Sequence, residues 1–279
     1  MQHCAFGGAG GSAIKNVRPL SEIRRIGFRL PSLPEQRRIA DVLDRAEALR
    51  AKRRAALAEL DALDESVFRN LIGDPVENPK NWDSSVVLGD VADIVSGITK
   101  GRKITGCETR EIEYLAVANV QDRALALDTV KRIEATESEI RRYRLQKGDL
   151  LLTEGGDPDK LGRGTLWNDE LPECIHQNHI FRVRLTNDRL HPLFVSRLVA
   201  SQRGKRYFLR AAKQTTGIAS INMTQLRDFP LLIPPQSVQQ QFAKQIAVVE
   251  KLKETHRASL AELDSLFASL QHRAFRGEL

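Results

Sequence analysis

Hydrophobic and polar residues alternate in two different rhythms along this chain. In two segments the apolar positions return in steps of three and four. Ile39, Val42, Ala46, Leu49, Arg53, Ala56, Leu60, Leu63, Val67 and Asn70 form one series. Phe242, Gln245, Val249, Leu252, His256, Ser259, Leu263, Leu266, Leu270 and Arg273 form the other. Such spacing predicts a stripe along one helix face and a coiled-coil seam, with polar residues interrupting it at matching places, Arg53 and His256. Prolines mark where each helix starts, Pro31 and Pro34 before the first, Pro234 and Pro235 before the second. Gly73-Asp74-Pro75 stops the first, and the second runs to Gly277.

Between the helices the rhythm changes to short β-rich runs separated by turn signals. The expected strands are Val86–Leu88, Val91–Ser96, Glu113–Ala116, Asp149–Thr153, Gly164–Trp167 and Ile180–Leu185. Turn material lies at Asn78-Pro79, Lys147-Gly148-Asp149 and Gly155-Gly156-Asp157-Pro158, and a helical patch is expected from His191 to Ala212. Strands first and helices afterwards predict an α+β domain bracketed by two long coiled-coil helices.

The two helical segments repeat one another. Placed 203 positions apart, Gln36–Ile72 and Gln239–Phe275 are identical at 13 of 37 residues, and at eight of ten between Arg54 and Leu63. A proline-rich tag precedes each copy, LPSLPEQ at Leu30–Gln36 and LIPPQ at Leu232–Gln236. With an offset of 206, Gly11 meets Gly217, Asn16 meets Asn222 and Leu20 meets Leu226, so the repeat extends upstream. The period is far longer than the ~20–50 residues of a solenoid. Residues 1–30 read as the tail of a preceding globular domain.

Charge and composition narrow the chemistry. A net charge of +7 with a pI near 9.5 favours a polyanionic partner, nucleic acid first. No apolar run reaches the ~18 residues of a membrane helix, so no membrane partner is expected and the expected compartment is the cytoplasm. The three cysteines, Cys4, Cys107 and Cys174, outline neither a disulfide framework nor a paired zinc motif. Catalytic signatures are missing: there is no Asn/Asp-Pro-Pro-Tyr tetrad and no P-loop, and Gly8-Ala9-Gly10-Gly11 does not form a dinucleotide fingerprint. The run Cys174-Ile175-His176-Gln177-Asn178-His179 lacks a fourth metal ligand and reads as polar residues at a strand end. No catalytic residue and no metal site are expected.

Several pieces in order carry a family resemblance. They are Trp82 to Leu88-Gly89-Asp90, then Gly148-Asp149-Leu150-Leu151, then Thr216-Gly217 through Asn222, then Pro234-Pro235-Gln236 leading into a long helix. The tag Leu33-Pro34-Glu35-Gln36-Arg37-Arg38-Ile39-Ala40 is the most specific piece. Together with the duplication, they resemble the specificity subunit of type I restriction–modification systems. The resemblance implies a remnant of a preceding recognition domain at 1–30, a first spacer helix at 31–73, a target-recognition domain at 75–235 and a second spacer helix at 236–279, the two helices running antiparallel. A full subunit of that family carries two recognition domains, so this chain resembles a split or C-terminal portion.

The implied role is non-catalytic: reading one half of a bipartite site on double-stranded DNA and docking methyltransferase subunits on the helices. The restriction subunit belongs to the larger complex, and a second specificity fragment or a self-dimer could complete the site. S-adenosylmethionine and ATP are expected on partner subunits, with no cofactor bound directly. A helix of this length spans roughly 57 Å at ~1.5 Å per residue, the length of about 17 base pairs. DNA reading needs base-edge readers on loops and cations against phosphates. The expected loop residues are Lys100, Arg102, Lys103, Lys160, Arg163, Gln177, Asn178, Lys213, Gln214 and Thr215. The partner-helix seam is expected at Ile39, Val42, Leu49, Leu60, Leu63, Phe242, Val249, Leu252, Leu263 and Leu266. The competing class is a coiled-coil scaffold or assembly protein that never reads DNA.

Overall fold

The computed structural model describes residues 30–104, 106–156, 161–215 and 218–279. The first 29 residues, where a preceding domain's tail is expected, lie outside the described residues. The chain divides into two compact units: a body of residues 58–254, and a second unit of residues up to 57 together with 255–279. Two long helices, α1 (Leu33–Ile72) and α7 (Gln236–Arg276), run through both.

The body centres on a four-stranded antiparallel sheet in the order β1-β10-β6-β8, formed by Ala92–Ser96, Ile180–Leu185, Leu150–Thr153 and Gly164–Leu166. The run Leu150-Leu151-Leu152-Thr153 is buried throughout, as a central strand covered on both faces requires. A second sheet, β5-β2-β9, pairs Lys131–Ala135 and Cys174–His176 with Arg110–Leu115, and β2 and β9 run parallel. A third, β11-β12-β7, joins Lys213–Thr215 and Ile218–Ser220 to Gly155–Gly156. A two-stranded hairpin, β3-β4, spans Val120–Gln121 and Ala124–Leu125.

Helices close the body. α2 (Leu88–Val91) precedes β1, α3 (Glu137–Tyr143) follows β5, and α6 (Met223–Arg227) precedes α7. Two elements differ from expectation. The stretch Val86–Leu88 is not a strand: only Val87 pairs, in an isolated bridge with Pro230, and Leu88 already begins α2. The patch His191–Ala212 is two helices, α4 (Pro192–Ala200) and α5 (Gln202–Ala211), because the chain turns extended at Ser201.

The main core gathers Leu150, Leu152, Phe181 and Val183 of the central sheet, Phe194 and Leu198 of α4, and Phe229, Leu231 and Leu232. Phe68 and Ile72 of α1 and Phe242 and Ile246 of α7 belong to the same cluster. Phe68 stacks on Phe194 at 6.1 Å and meets Phe242 edge-on at 5.6 Å. The last turns of α1 and the first turns of α7 are thus part of the body's own interior.

The helix seam keeps its expected heptad but takes the other phase. Ile39, Leu60 and Leu263 are half-buried, as is Val42, and Phe242 and Val249 are buried. Leu49, Leu63, Leu252 and Leu266 are 51%, 44%, 46% and 49% exposed and lie off the seam. Their neighbours Arg50, Asp64, Lys253 and Phe267 turn inward instead. Charges tolerate this because they pair. In the body, Lys253 Nζ lies 2.9 Å from Asp61 and 3.1 Å from Glu250. In the second unit, Arg50 Nε lies 2.6 Å from Asp264, its guanidinium also pairs with Glu47, and it sits 4.4 Å over the Phe267 ring. Shifted by 203 residues, Asp61 becomes Asp264, Glu47 becomes Glu250 and Arg50 becomes Lys253. The two contact sets are one set with the helices exchanged. Arg53 and His256, themselves equivalent, meet at 3.1 Å.

Candidate nucleic-acid interface

Segments far apart in sequence meet at one end of the body. After β1, Ile98 bridges to Gln177: Ile98 N donates to His176 O at 2.8 Å, and Asn178 N donates to Ile98 O at 3.0 Å. The turn 177–179 then reaches the exit of β6, where Glu154 N donates to His179 O at 3.0 Å. Ile221 N in turn donates to Glu154 O at 2.9 Å, and β12 pairs with β7. The β1–β2 loop, the β9–β10 turn, the β6–β7 exit and the β11–β12 hairpin therefore share one neighbourhood.

Two glycines permit that convergence. A Cβ at Gly97 would stand 1.9 Å from the His176 carbonyl oxygen, and one at Gly155 would stand 2.8 Å from the Ala219 oxygen. Any side chain at Gly97 would push the first loop off the β9–β10 turn.

The expected loop residues divide by what holds them. Lys100 and Lys103 are exposed and make no ion pair among the described residues. Arg102 is committed elsewhere: its Nε and Nη2 lie 2.5 Å and 2.7 Å from the two oxygens of Glu139, and Nη2 also donates to Glu134 O at 2.9 Å. A bidentate guanidinium–carboxylate pair leaves little of Arg102 for a base or phosphate. The pairing, with the hydrogen bonds from Thr136, draws the Glu139 pKa down to about 2. Arg163 is half-buried, its Nη1 3.5 Å from Gln121 Oε1 and its buried Nε without a partner among the described residues. Gln177 and Asn178 are half-buried in the convergent turn. Lys160 and the side chains of Lys213, Gln214 and Thr215 lie outside the described residues, although the Lys213–Thr215 backbone is strand β11.

Glu154 was not singled out from sequence, and His179 entered only as the end of the polar run at 174–179. His179 Nδ1 lies 2.6 Å from Glu154 Oε2, and His179 Nε2 lies 3.4 Å from Asn178 Nδ2. The polar cluster Gln177-Asn178-His179 at a strand end was visible, but its partner 25 residues earlier was not. His176 points the other way. It is fully buried, its Nδ1 3.0 Å from Ile180 O, and burial lowers its pKa to about 4. Neighbouring Cys174 is buried too, and desolvation raises its thiol to about 12, far from a reactive thiolate. No group of three or more acidic, histidine or cysteine side chains suited to a metal exists among the described residues.

Comparison with known proteins follows the same lines. Residues 79–265 match the type I restriction modification DNA specificity domain. The chain is 23% identical over 285 residues to the type I restriction enzyme StySPI specificity subunit of Salmonella potsdam. It is 24% identical over 284 residues to the EcoKI specificity subunit of Escherichia coli K12. Both alignments take in 96% of this chain and 61% of the relative, so the chain spans about three fifths of their length. Among solved structures, a chain from work on complex assembly and conformational transition of a type I R-M system matches over all of this chain and 68% of its own length. Its TM-score is 0.61 at 19% identity. The S subunit of a type I system from M. genitalium matches over 95% of this chain and 67% of its own, with a TM-score of 0.54 at 12% identity. These two likenesses concern the fold.

Proposed function

Because the chain belongs to the type I restriction modification DNA specificity family, we propose that it is a DNA-reading subunit that recognises one half of a bipartite site and is itself non-catalytic. The observation that carries this reading is the convergence of four sequence-remote loops at one end of the body, with Lys100 and Lys103 exposed beside it and in no ion pair among the described residues. Loops on a rigid sheet can place base-edge readers while unpaired lysines take phosphates. A scaffold that never reads DNA has no use for that arrangement.

In this reading residues 75–235 are the recognition domain, and 31–73 and 236–279 are spacer helices that dock methyltransferase subunits. Those subunits bind S-adenosylmethionine, and a restriction subunit joins with ATP in the larger complex. A second recognition domain, from another fragment or another copy, completes the site. The compartment is the cytoplasm, where the DNA is.

The test is co-expression with the methyltransferase subunit encoded nearby, purification of the complex and duplex binding across a salt series. A stoichiometric complex should bind with a steep salt dependence. Replacing Lys100 and Lys103 by Ala should weaken binding to all sequences alike and flatten the slope of log affinity against log salt by about 2. No complex, or no change in slope, would remove these helices or this loop from the proposed roles.

A further inference from the structure

We propose that Asn178 reads an adenine in the half-site, and that Glu154 and His179 are positioning residues that set its amide for that task. The inference rests on the DNA-reading role proposed above and names the base that one residue recognises.

The main chain of Asn178 is held on both sides. Its N–H donates to Ile98 O at 3.0 Å, and its carbonyl accepts the Ser96 hydroxyl at 2.5 Å. Glu154 is anchored as firmly, through its N–H to His179 O and its carbonyl from Ile221 N. Between these fixed points runs a chain of side chains. Glu154 Oε2 stands 2.6 Å from His179 Nδ1, and His179 Nε2 stands 3.4 Å from Asn178 Nδ2.

Hydrogen-bonding roles follow from the acidic end. A carboxylate oxygen accepts, so His179 donates to Glu154 from Nδ1. Nε2 then offers a lone pair, which an N–H of Asn178 fills. The reverse orientation would aim Oδ1 at that lone pair. One amide N–H is thus used inward, while Oδ1 and the second N–H remain. An adjacent acceptor and donor complement the N6 amino group and N7 of adenine in the major groove. Guanine presents acceptors at both O6 and N7, and Oδ1 would face one of them. His179 is 56% exposed on its side chain and lies in the convergent turn, where a duplex can reach it.

The experiment is selection from randomised duplexes with the full chain in its methyltransferase complex, comparing wild type with Asn178→Ala, Glu154→Gln and His179→Ala. The expected result is loss of an adenine preference at one position for Asn178→Ala, on the order of 10- to 100-fold. Glu154→Gln and His179→Ala should weaken the same position partially and leave the rest of the motif intact. Glu154→Gln keeps the side chain's shape, so its effect is separable from misfolding. An unaltered motif with Asn178→Ala would overturn the reader assignment. A uniform loss of affinity with Glu154→Gln, with the adenine preference retained, would overturn the positioning role. A wild-type complex that selects no motif would overturn DNA reading itself, and this inference with it.

Discussion

Arg102 and Glu139 illustrate how a single pairing redirects a residue. A lysine- and arginine-rich loop points outward by composition, yet the guanidinium turns back onto a carboxylate 37 positions away. Glu139 also accepts from Thr136 N at 2.9 Å and completes the cap of α3. Its pKa in the folded protein lies below the ordinary carboxylate value, at about 2. The stabilisation is therefore fully present above about pH 4.5 and drains as pH falls toward 2, worth roughly 1–3 kcal/mol in all. Urea titrations of wild type and Glu139→Gln should show a stability gap near neutrality that closes between about pH 5 and 2. A gap that does not change with pH would mean the pair contributes nothing. Loops rich in glycine, lysine and asparagine were legible because turns and solvated cations have their own composition. Which cation is free was not, because its partner is chosen by the fold: Arg102 by α3, His179 by the exit of β6.

At the scale of elements, both long helices were legible in period, and their phase was the harder part. Two stripes, Leu49 and Leu63 or Arg50 and Asp64, differ by one residue and share Ile39, Ala46, Arg53, Leu60 and Val67. Hydrophobicity favours the leucines, but the folded protein seats the charges because Asp61, Glu250 and Asp264 compensate them. Periodicity carries no information about pairing across a seam. The same phase separates two substitutions. Leu63→Ala removes a side chain already 44% exposed and should cost under about 1 kcal/mol, whereas Ile246→Ala opens a cavity at a position 1% exposed and should cost about 2–5 kcal/mol. Chemical denaturation of both variants decides the matter, and equal losses would restore the leucine phase. Among the strands, Ile180–Leu185 falls where its alternation places it. Residues 131–143 were unassigned from sequence because β5 and α3 are short and charged, β5 is held by pairing with β2, and α3 packs Ile140 against Ile112 and Tyr114 of β2 and Ile175 of β9.

For the molecule as a whole, the duplication was the clearest message in the sequence, and the sheet topology the least, since strand order depends on contacts at long separation. One buried charge ties helices and sheets of the body together. Asp64 is fully buried and takes Arg197 of α4 bidentately at 3.0 Å and 2.7 Å, with Lys253 of α7 at 3.8 Å and Arg123 of the β3–β4 turn at 3.9 Å. Asp64→Ala leaves the buried Arg197 without its bidentate partner, with only the Glu250 carboxylate 3.9 Å away, and should cost about 3–5 kcal/mol, while Asp64→Leu with Arg197→Met should cost clearly less. Thermal melting of the two variants tests this, and equal melting points would deny the charge any special part.

The exchanged contact sets of α1 and α7 have a consequence for partner choice. Because each helix carries the basic residue that the other's acid needs, two copies of α1 laid antiparallel would also match Arg50 with Asp61, and two copies of α7 would match Lys253 with Asp264. Charge at those positions cannot distinguish a chain's own helix from a stranger's. Discrimination falls to the position where a helix would meet its own equivalent. There α1 against α1 sets Arg53 against Arg53, a like-charge clash, while α1 against α7 sets Arg53 against a histidine whose ring nitrogen can accept a hydrogen bond from it. The tether through the body adds a high local concentration of the right partner. In a nearly palindromic pairing code, a single unmatched letter and the length of one domain decide between self-closure and exchange.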